Sequence, residues 1–208
     1  MWKIRSLKGV SMKALPLQVM NEFWNFIESY TSLSERSKEA WAAILKESQV
    51  GKGSFLLEAG VIPKEIAFVR QGLFSYEYLN EKGDRVIKKF FPENSLVAST
   101  SAILKEEPGK FTIQALEDCQ VITYPFQGFR ALTGLYSYVA AFYIKYMERH
   151  WVIEKEFEEI TLKSQTAKQR YEQFASQHPA LIPRLKLHHI ASYLAITPTQ
   201  LSRIRAEL

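Results

Sequence analysis

The last two dozen residues, Leu185 to Leu208 (LKLHHIASYLAITPTQLSRIRAEL), constrain this chain more than any other stretch. Ile190, Leu194, Ile196, Leu201 and Ile204 are spaced to bury the inner faces of two short helices crossing over one small core. Ala191 falls where the helices approach, so a larger side chain would separate them. Thr197 offers an N-cap and Pro198 occupies the first helical position, where a missing N–H is harmless. The turn position that favours glycine is Ala195, which predicts about 1 kcal/mol of strain if the backbone turns left-handed there.

A helix-turn-helix is the expected motif. Its second helix turns Thr199, Gln200, Ser202, Arg203 and Arg205 outward, all able to hydrogen-bond and none acidic. Such a face suits a major groove, where Arg pairs with guanine and Gln with adenine. The plainer alternative is a C-terminal helical hairpin without a nucleic-acid role. Charge favours the first reading: residues 1 to 160 carry 20 basic and 20 acidic side chains, whereas residues 161 to 208 carry 7 and 2. The net charge of +5 therefore resides in the terminal segment.

The remaining chain is long enough, at 208 residues with 47% hydrophobic content, to bury a large core. No apolar run reaches the length of a membrane span, and the start, MWKIRSLKGVSMKALPL, lacks a continuous apolar region and a small-residue cleavage site, so a cytoplasmic protein without membrane contact is expected. Cys119 is the lone cysteine, and His150, His178, His188 and His189 are the only histidines. Neither a disulfide, a haem, an iron–sulfur cluster nor a metal site is expected. His188 and His189 read as surface or phosphate-contacting groups.

After an irregular basic start, helical spacing covers Val19 to Tyr30 and Ser34 to Leu45, with Trp24 and Trp41 as core candidates. Short strands come next: Gln49 to Val50, Ser54 to Leu57, Ile66 to Arg70, Leu73 to Leu79, Arg85 to Phe91, Phe111 to Ala115 and Gln120 to Tyr124, separated by glycine turns and by a hairpin loop at Asn80 to Asp84. This pattern predicts an antiparallel roll or jelly roll able to enclose a ligand. No nucleophile elbow, P-loop or dinucleotide fingerprint occurs, so an enzyme is not expected, and Glu58, Glu77 and Glu93 read as strand-surface charges.

Tyr136, Val139, Tyr143, Tyr146, His150, Ile153, Phe157 and Ile160 alternate by three and four, the period of a coiled-coil seam. The preferred reading is a homodimer through this helix; the alternative is a stripe packed on the β domain. Capping-type residues at Leu162 to Thr166 mark a hinge before a helix over Ala167 to Ser176. The overall expectation is an α+β chain: residues 1–135 a sensor roll with N-terminal helices, 136–163 a dimerisation helix and hinge, and 164–208 a small all-α helix-turn-helix domain.

This order resembles the Crp/Fnr family of bacterial transcription regulators, most specifically in ASYLAITPTQLSRIR and more loosely in EIAFVRQGLFSYEYLNEKGDRVIKKFFP. The resemblance implies a roll of the cyclic-nucleotide-binding type, a homodimer, and regulated binding to a palindromic operator in double-stranded DNA, with RNA polymerase a candidate partner. It carries over Thr199, Gln200, Ser202 and Arg203 as base-facing residues, flanked by Thr197, Pro198 and Arg205.

The cyclic AMP-binding members have a Gly-Glu and an Arg-Ser pair in a phosphate cassette; here Ala98-Ser99 and Gly109-Lys110 stand in those places. Losing both charge-assisted contacts argues against cyclic AMP. Ala98, Ser99, Thr100, Lys110, Phe111 and Thr112 are the candidate pocket residues for a different small effector, with a ligand-free scaffold as the alternative. The sequence ends without the two-stranded wing common in the family, so Arg184, Lys186, Lys168 and Arg170 are candidate replacement phosphate contacts. A small-molecule module acting through a protein partner is the competing function.

Overall fold

The computed structural model describes residues 15–208; most of the basic start read from the sequence lies outside them. Helix α1 (Leu17–Glu28) buries Val19, Phe23, Trp24 and Ile27 along one side, and α2 (Glu35–Ala42) buries Trp41 completely. Ser34 caps α2 by accepting from the Ser37 amide, and the buried Ser37 hydroxyl donates back to the Ser34 carbonyl at 2.7 Å.

Eight strands come after these helices: β1 (Lys46–Val50), β2 (Phe55–Leu57), β3 (Glu65–Gln71), β4 (Phe74–Leu79), β5 (Arg85–Phe91), β6 (Ser95–Val97), β7 (Phe111–Ala115) and β8 (Cys119–Pro125). They form two antiparallel four-stranded sheets, ordered β1-β8-β3-β6 and β2-β7-β4-β5. The expected roll is present. Its short strand β6, the helix α3 (Thr100–Lys105) and the helix α4 (Phe126–Leu135) had no counterpart in the sequence pattern.

Strands β3 and β8 are covered on both faces, so their apolar residues run consecutively instead of alternating. Phe68, Ile122 and Tyr124 face an aromatic cluster with Phe23 and Trp41, while Ala67, Val69, Cys119 and Val121 face the interior between the sheets. The β4–β5 turn closes as expected, with Asn80 Oδ1 accepting from the amides of Lys82 and Asp84. Gly72 has φ +98°, and a Cβ there would lie 2.6 Å from Cys119 Sγ, so the crossing between β3 and β4 admits only glycine.

The seam residues divide along the long helix. It consists of α5 (Ser137–Met147), a π-helical turn (Glu148–Ile153) and α6 (Glu154–Ser164), with Tyr136 in an extended conformation before it. Val139 is buried in the chain's own core, Tyr136, Tyr143 and Tyr146 pack against that core, and His150 shares a 2.7 Å hydrogen bond with the Tyr30 hydroxyl. Ile153, Phe157 and Ile160 are exposed. The first five positions of the alternation therefore lie against the chain's own core or Tyr30, and the wider π turn changes the phase of the helix beyond it. Phe142, outside the alternation, is among the fully buried residues.

Gln165 is extended, and Thr166 starts α7 (Ala167–Gln177) with a capping box to Gln169. Helices α7, α8 (Leu187–Tyr193) and α9 (Pro198–Ala206) share a core with Leu73, Ile87 and Phe90 of the roll. Two polar fastenings hold them there. Ser192 Oγ accepts from the Ile87 amide and donates to the Arg85 carbonyl, while Arg184 makes four hydrogen bonds of 2.7 to 2.9 Å to Glu93 and Glu117. Glu93 also accepts from the Gly72 amide. It is thus a linchpin, not a plain surface charge; Glu77, likewise, is buried and paired with Arg85.

Burial by itself would raise the Glu93 carboxyl, but hydrogen bonds from Arg184 and from backbone amides outweigh it and hold the group below its ordinary value. A depressed carboxyl stabilises the fold above its unfolded value, about 4.3, and that contribution disappears as pH falls through the folded value. Stability measured by urea unfolding is expected to drop below about pH 4.3. Arg184→Met should lower it by about 2 kcal/mol at neutral pH and flatten the acid limb.

Candidate nucleic-acid interface and effector cavity

Helices α8 and α9 form where the local sequence places them, and the cap of α9 follows its chemistry. Thr197 Oγ1 accepts from the Gln200 amide, Gln200 Oε1 accepts from the Thr197 amide at 2.9 Å, and Pro198 fills the first turn. Ala195 has φ 54°, the left-handed conformation expected of that turn. Leu201, Ile190 and Ala191 are fully buried where α8 and α9 meet.

Thr197, Pro198, Thr199, Gln200, Ser202, Arg203 and Arg205 are all exposed. Among the described residues, neither Arg203 nor Arg205 has a carboxylate within 4.0 Å, so both cations are available to an outside partner. Gln200 is less free than its exposure suggests. Its Oε1 also lies 3.2 Å from Thr197 Oγ1, so both carbonyl lone pairs are engaged and only Nε2 remains for a base edge. Bidentate pairing with adenine would require the capping box to open.

Three of the four candidate replacements for a wing are already engaged. Arg184 is held by Glu93 and Glu117, Arg170 donates to the carbonyls of Gln165 and Leu194, and Lys168 lies 3.8 Å from Glu207; Lys186 remains exposed. His189 is half-buried, and its imidazole is pushed down to about 4, first by burial and then by His188 and Lys186. Its neutral form is favoured at physiological pH, and it meets His188 edge to face at 4.2 Å.

The six pocket candidates separate. Ala98 and Thr100 line a cavity of about 140 Å³ between the roll and the long helix. Ser99 is fully buried and hydrogen-bonds the Tyr76 hydroxyl at 3.0 Å, and Phe111 stacks on Tyr76 with centroids 4.5 Å apart. Thr112 accepts from the Ala59 amide, and Lys110 is exposed; Lys110, Phe111 and Thr112 do not line the cavity. Tyr76, which lines the cavity, thus ties it to Ser99 and Phe111. The remaining cavity is bounded mainly by aromatic side chains of β8, α4 and the long helix, which lie far apart in sequence and carry no local motif. No group of three or more potential metal ligands occurs among the described residues.

Residues 47–134 match the cyclic nucleotide-binding domain family. No curated protein sequence matches the chain. Among solved structures, FixK2 from Bradyrhizobium japonicum is similar at TM-score 0.68 and 17% identity, covering 79% of this chain and 84% of that one. The c-di-GMP responsive global regulator CLP of Xanthomonas campestris aligns at TM-score 0.65 and 10% identity over 84% and 91% of the two chains. Catabolite Activator Protein from Thermus thermophilus aligns at 0.54 and 14% over 86% and 85%. These likenesses, at 10–17% identity, establish a shared fold. No helix among the described residues is long and apolar enough to cross a membrane.

Ala195→Gly relieves the left-handed strain and is expected to stabilise the chain by about 1 kcal/mol, a rise in Tm of about 2–4 °C by calorimetry. Thr197→Ala removes one half of the capping box and should lower stability by about 1 kcal/mol.

Proposed function

We propose that this chain is a dimeric, sequence-specific DNA-binding transcription regulator of Crp/Fnr type whose roll responds to a small effector other than cyclic AMP. The observation that carries the proposal is the face of α9: a capped helix presenting Thr199, Ser202, Arg203 and Arg205 to solvent, with no acidic partner for either arginine among the described residues. Arg203 donates to a guanine edge, Gln200 contributes Nε2 alone, and Lys186 contacts phosphate. RNA polymerase belongs to the proposal as the partner of the DNA-bound form.

In this reading the dimer uses the solvent side of the long helix, where Tyr138, Ile144, Val152, Ile153, Phe157 and Ile160 are exposed. Only the last three belong to the three-four alternation. Residues 15–135 form the sensor, the long helix carries its state, and the extended Gln165 is the hinge through which α7–α9 are repositioned. Repositioning must act against the Ser192 and Arg184 fastenings, so effector binding shifts an equilibrium between docked and released arrangements.

Two measurements test this. Fluorescence anisotropy with a mixed-sequence duplex is expected to show binding that weakens steeply with salt. On a selected site, Arg203→Ala should cost about 1–3 kcal/mol and relax base preference at one position. Phe157→Glu is expected to shift the chain to monomer in light scattering and to abolish site-specific binding. A monomeric wild type that stays monomeric on DNA contradicts the proposal. Ligand binding without duplex affinity would instead support the module that works through a protein partner.

A further inference from the structure

The cavity beneath the long helix has its own chemistry. Its wall is mostly apolar and aromatic, including Phe91, Phe129 and Phe142, and its volume of about 140 Å³ is close to the roughly 150 Å³ of an apolar protein cavity that holds a benzene ring. A cyclic nucleotide is much larger. Tyr124 also lines the cavity; it is fully buried, and its hydroxyl has no hydrogen-bond partner among the described residues. Burial holds that phenol in its protonated form, so it is a donor awaiting an acceptor.

The mouth is cationic. Exposed Lys88 and Lys155 line it together with the half-buried Lys89. Lys88 Nζ lies 5.5, 5.2 and 5.8 Å from the ring centroids of Tyr76, Phe111 and Trp151, with no carboxylate within 4.0 Å among the described residues. Of the nearby acids, Glu154 is occupied by His150 at 2.8 Å and Lys89 at 3.6 Å, which leaves Glu158 alone opposite Lys88 and Lys155. The mouth therefore lacks one negative charge. The π-helical turn carries His150 and Trp151 to this same mouth, so occupancy is felt directly by the helix that leads to the hinge.

We infer that the cavity binds a single-ring aromatic carboxylate, the ring among the phenylalanines and the carboxylate against Lys88, with a polar ring substituent or carboxylate oxygen accepting from Tyr124. The inference rests on the reading of the roll as a sensor and names what it senses. Ring burial supplies most of the affinity, and the Lys88 contact distinguishes the acid from its neutral analogues.

The test is calorimetric titration of the full chain, without DNA, using phenylacetate, 4-hydroxyphenylacetate, phenylacetamide and cyclic AMP. The acids are expected to bind at least tenfold more tightly than the amide, with a change in Trp151 fluorescence, and cyclic AMP more weakly than either acid. Lys88→Met should remove the acid–amide difference while leaving the amide affinity unchanged. Tyr124→Phe, which deletes a hydroxyl that bonds to nothing in the unliganded fold, should leave stability intact and weaken acid binding severalfold.

Equal affinity for acid and amide, acid affinity unchanged in Lys88→Met, tighter binding of cyclic AMP, or no heat with either acid at millimolar concentration would overturn the inference. DNA affinity is then measured separately with and without phenylacetate. Duplex binding by a chain that ignores both acids would sink the cavity assignment and leave the regulator intact. Acid binding that leaves duplex affinity unchanged would uphold the cavity assignment and remove the sensor role.

Discussion

The packing of the long helix onto the roll is the contact on which the rest of the architecture depends. Phe142 inserts among Trp41, Tyr30 and Phe129, with ring centroids 5.5 to 6.4 Å apart and mostly edge to face, while Tyr146 lies next to it over the same cluster. Such pairs contribute roughly 0.5–1.5 kcal/mol each beyond the area they bury. They fix the helix at its N-terminal half and leave its C-terminal half projecting with Phe157 and Ile160 exposed. One element thereby roofs the cavity, presents an apolar strip to a second copy in the proposed dimer, and ends at Gln165, the proposed hinge, before the terminal helices.

That division of labour explains what the sequence did and did not reveal. A three-four alternation reports an apolar stripe but not its partner; Tyr143 and Tyr146 met the chain's own core while Phe157, on the same count, met solvent. The π turn added a residue that no periodicity rule anticipates. Local chemistry was far more legible: Thr197 with Pro198 located the start of α9, Ala195 took the left-handed turn its position demands, and the Asn80–Asp84 loop closed β4 on β5. Strand β6 is as short as β2 but lacks the glycines, Gly53 and Gly60, that bracket β2, and α4 follows directly on β8 with Gly128 and Gly134 inside its span.

The candidate sites divide along the same line. The α9 face could be read because its residues are neighbours in one helix. Of the cavity only Ala98 and Thr100 could be read, because Tyr124, Phe142 and Lys88 converge only after the roll has closed and the helix has docked. Position in the cassette pointed to Lys110 and Thr112, yet Ala98 and Thr100 are the candidates that line the cavity. Similarly, Arg184 looked like a free cation until Glu93 and Glu117 arrived from the roll. Tertiary pairing decided which basic residues stayed available, and it left Arg203 and Arg205 at the outer face of α9.

The measurement that bears most directly on the account is selection of bound duplexes from a random library by the full chain at fixed salt, followed by the stoichiometry of the enriched complex. The account predicts a two-fold symmetric site whose half-sites lie one helical turn apart, about 34 Å, bound by two copies of the chain. No enrichment, or a single copy on an asymmetric site, would contradict it.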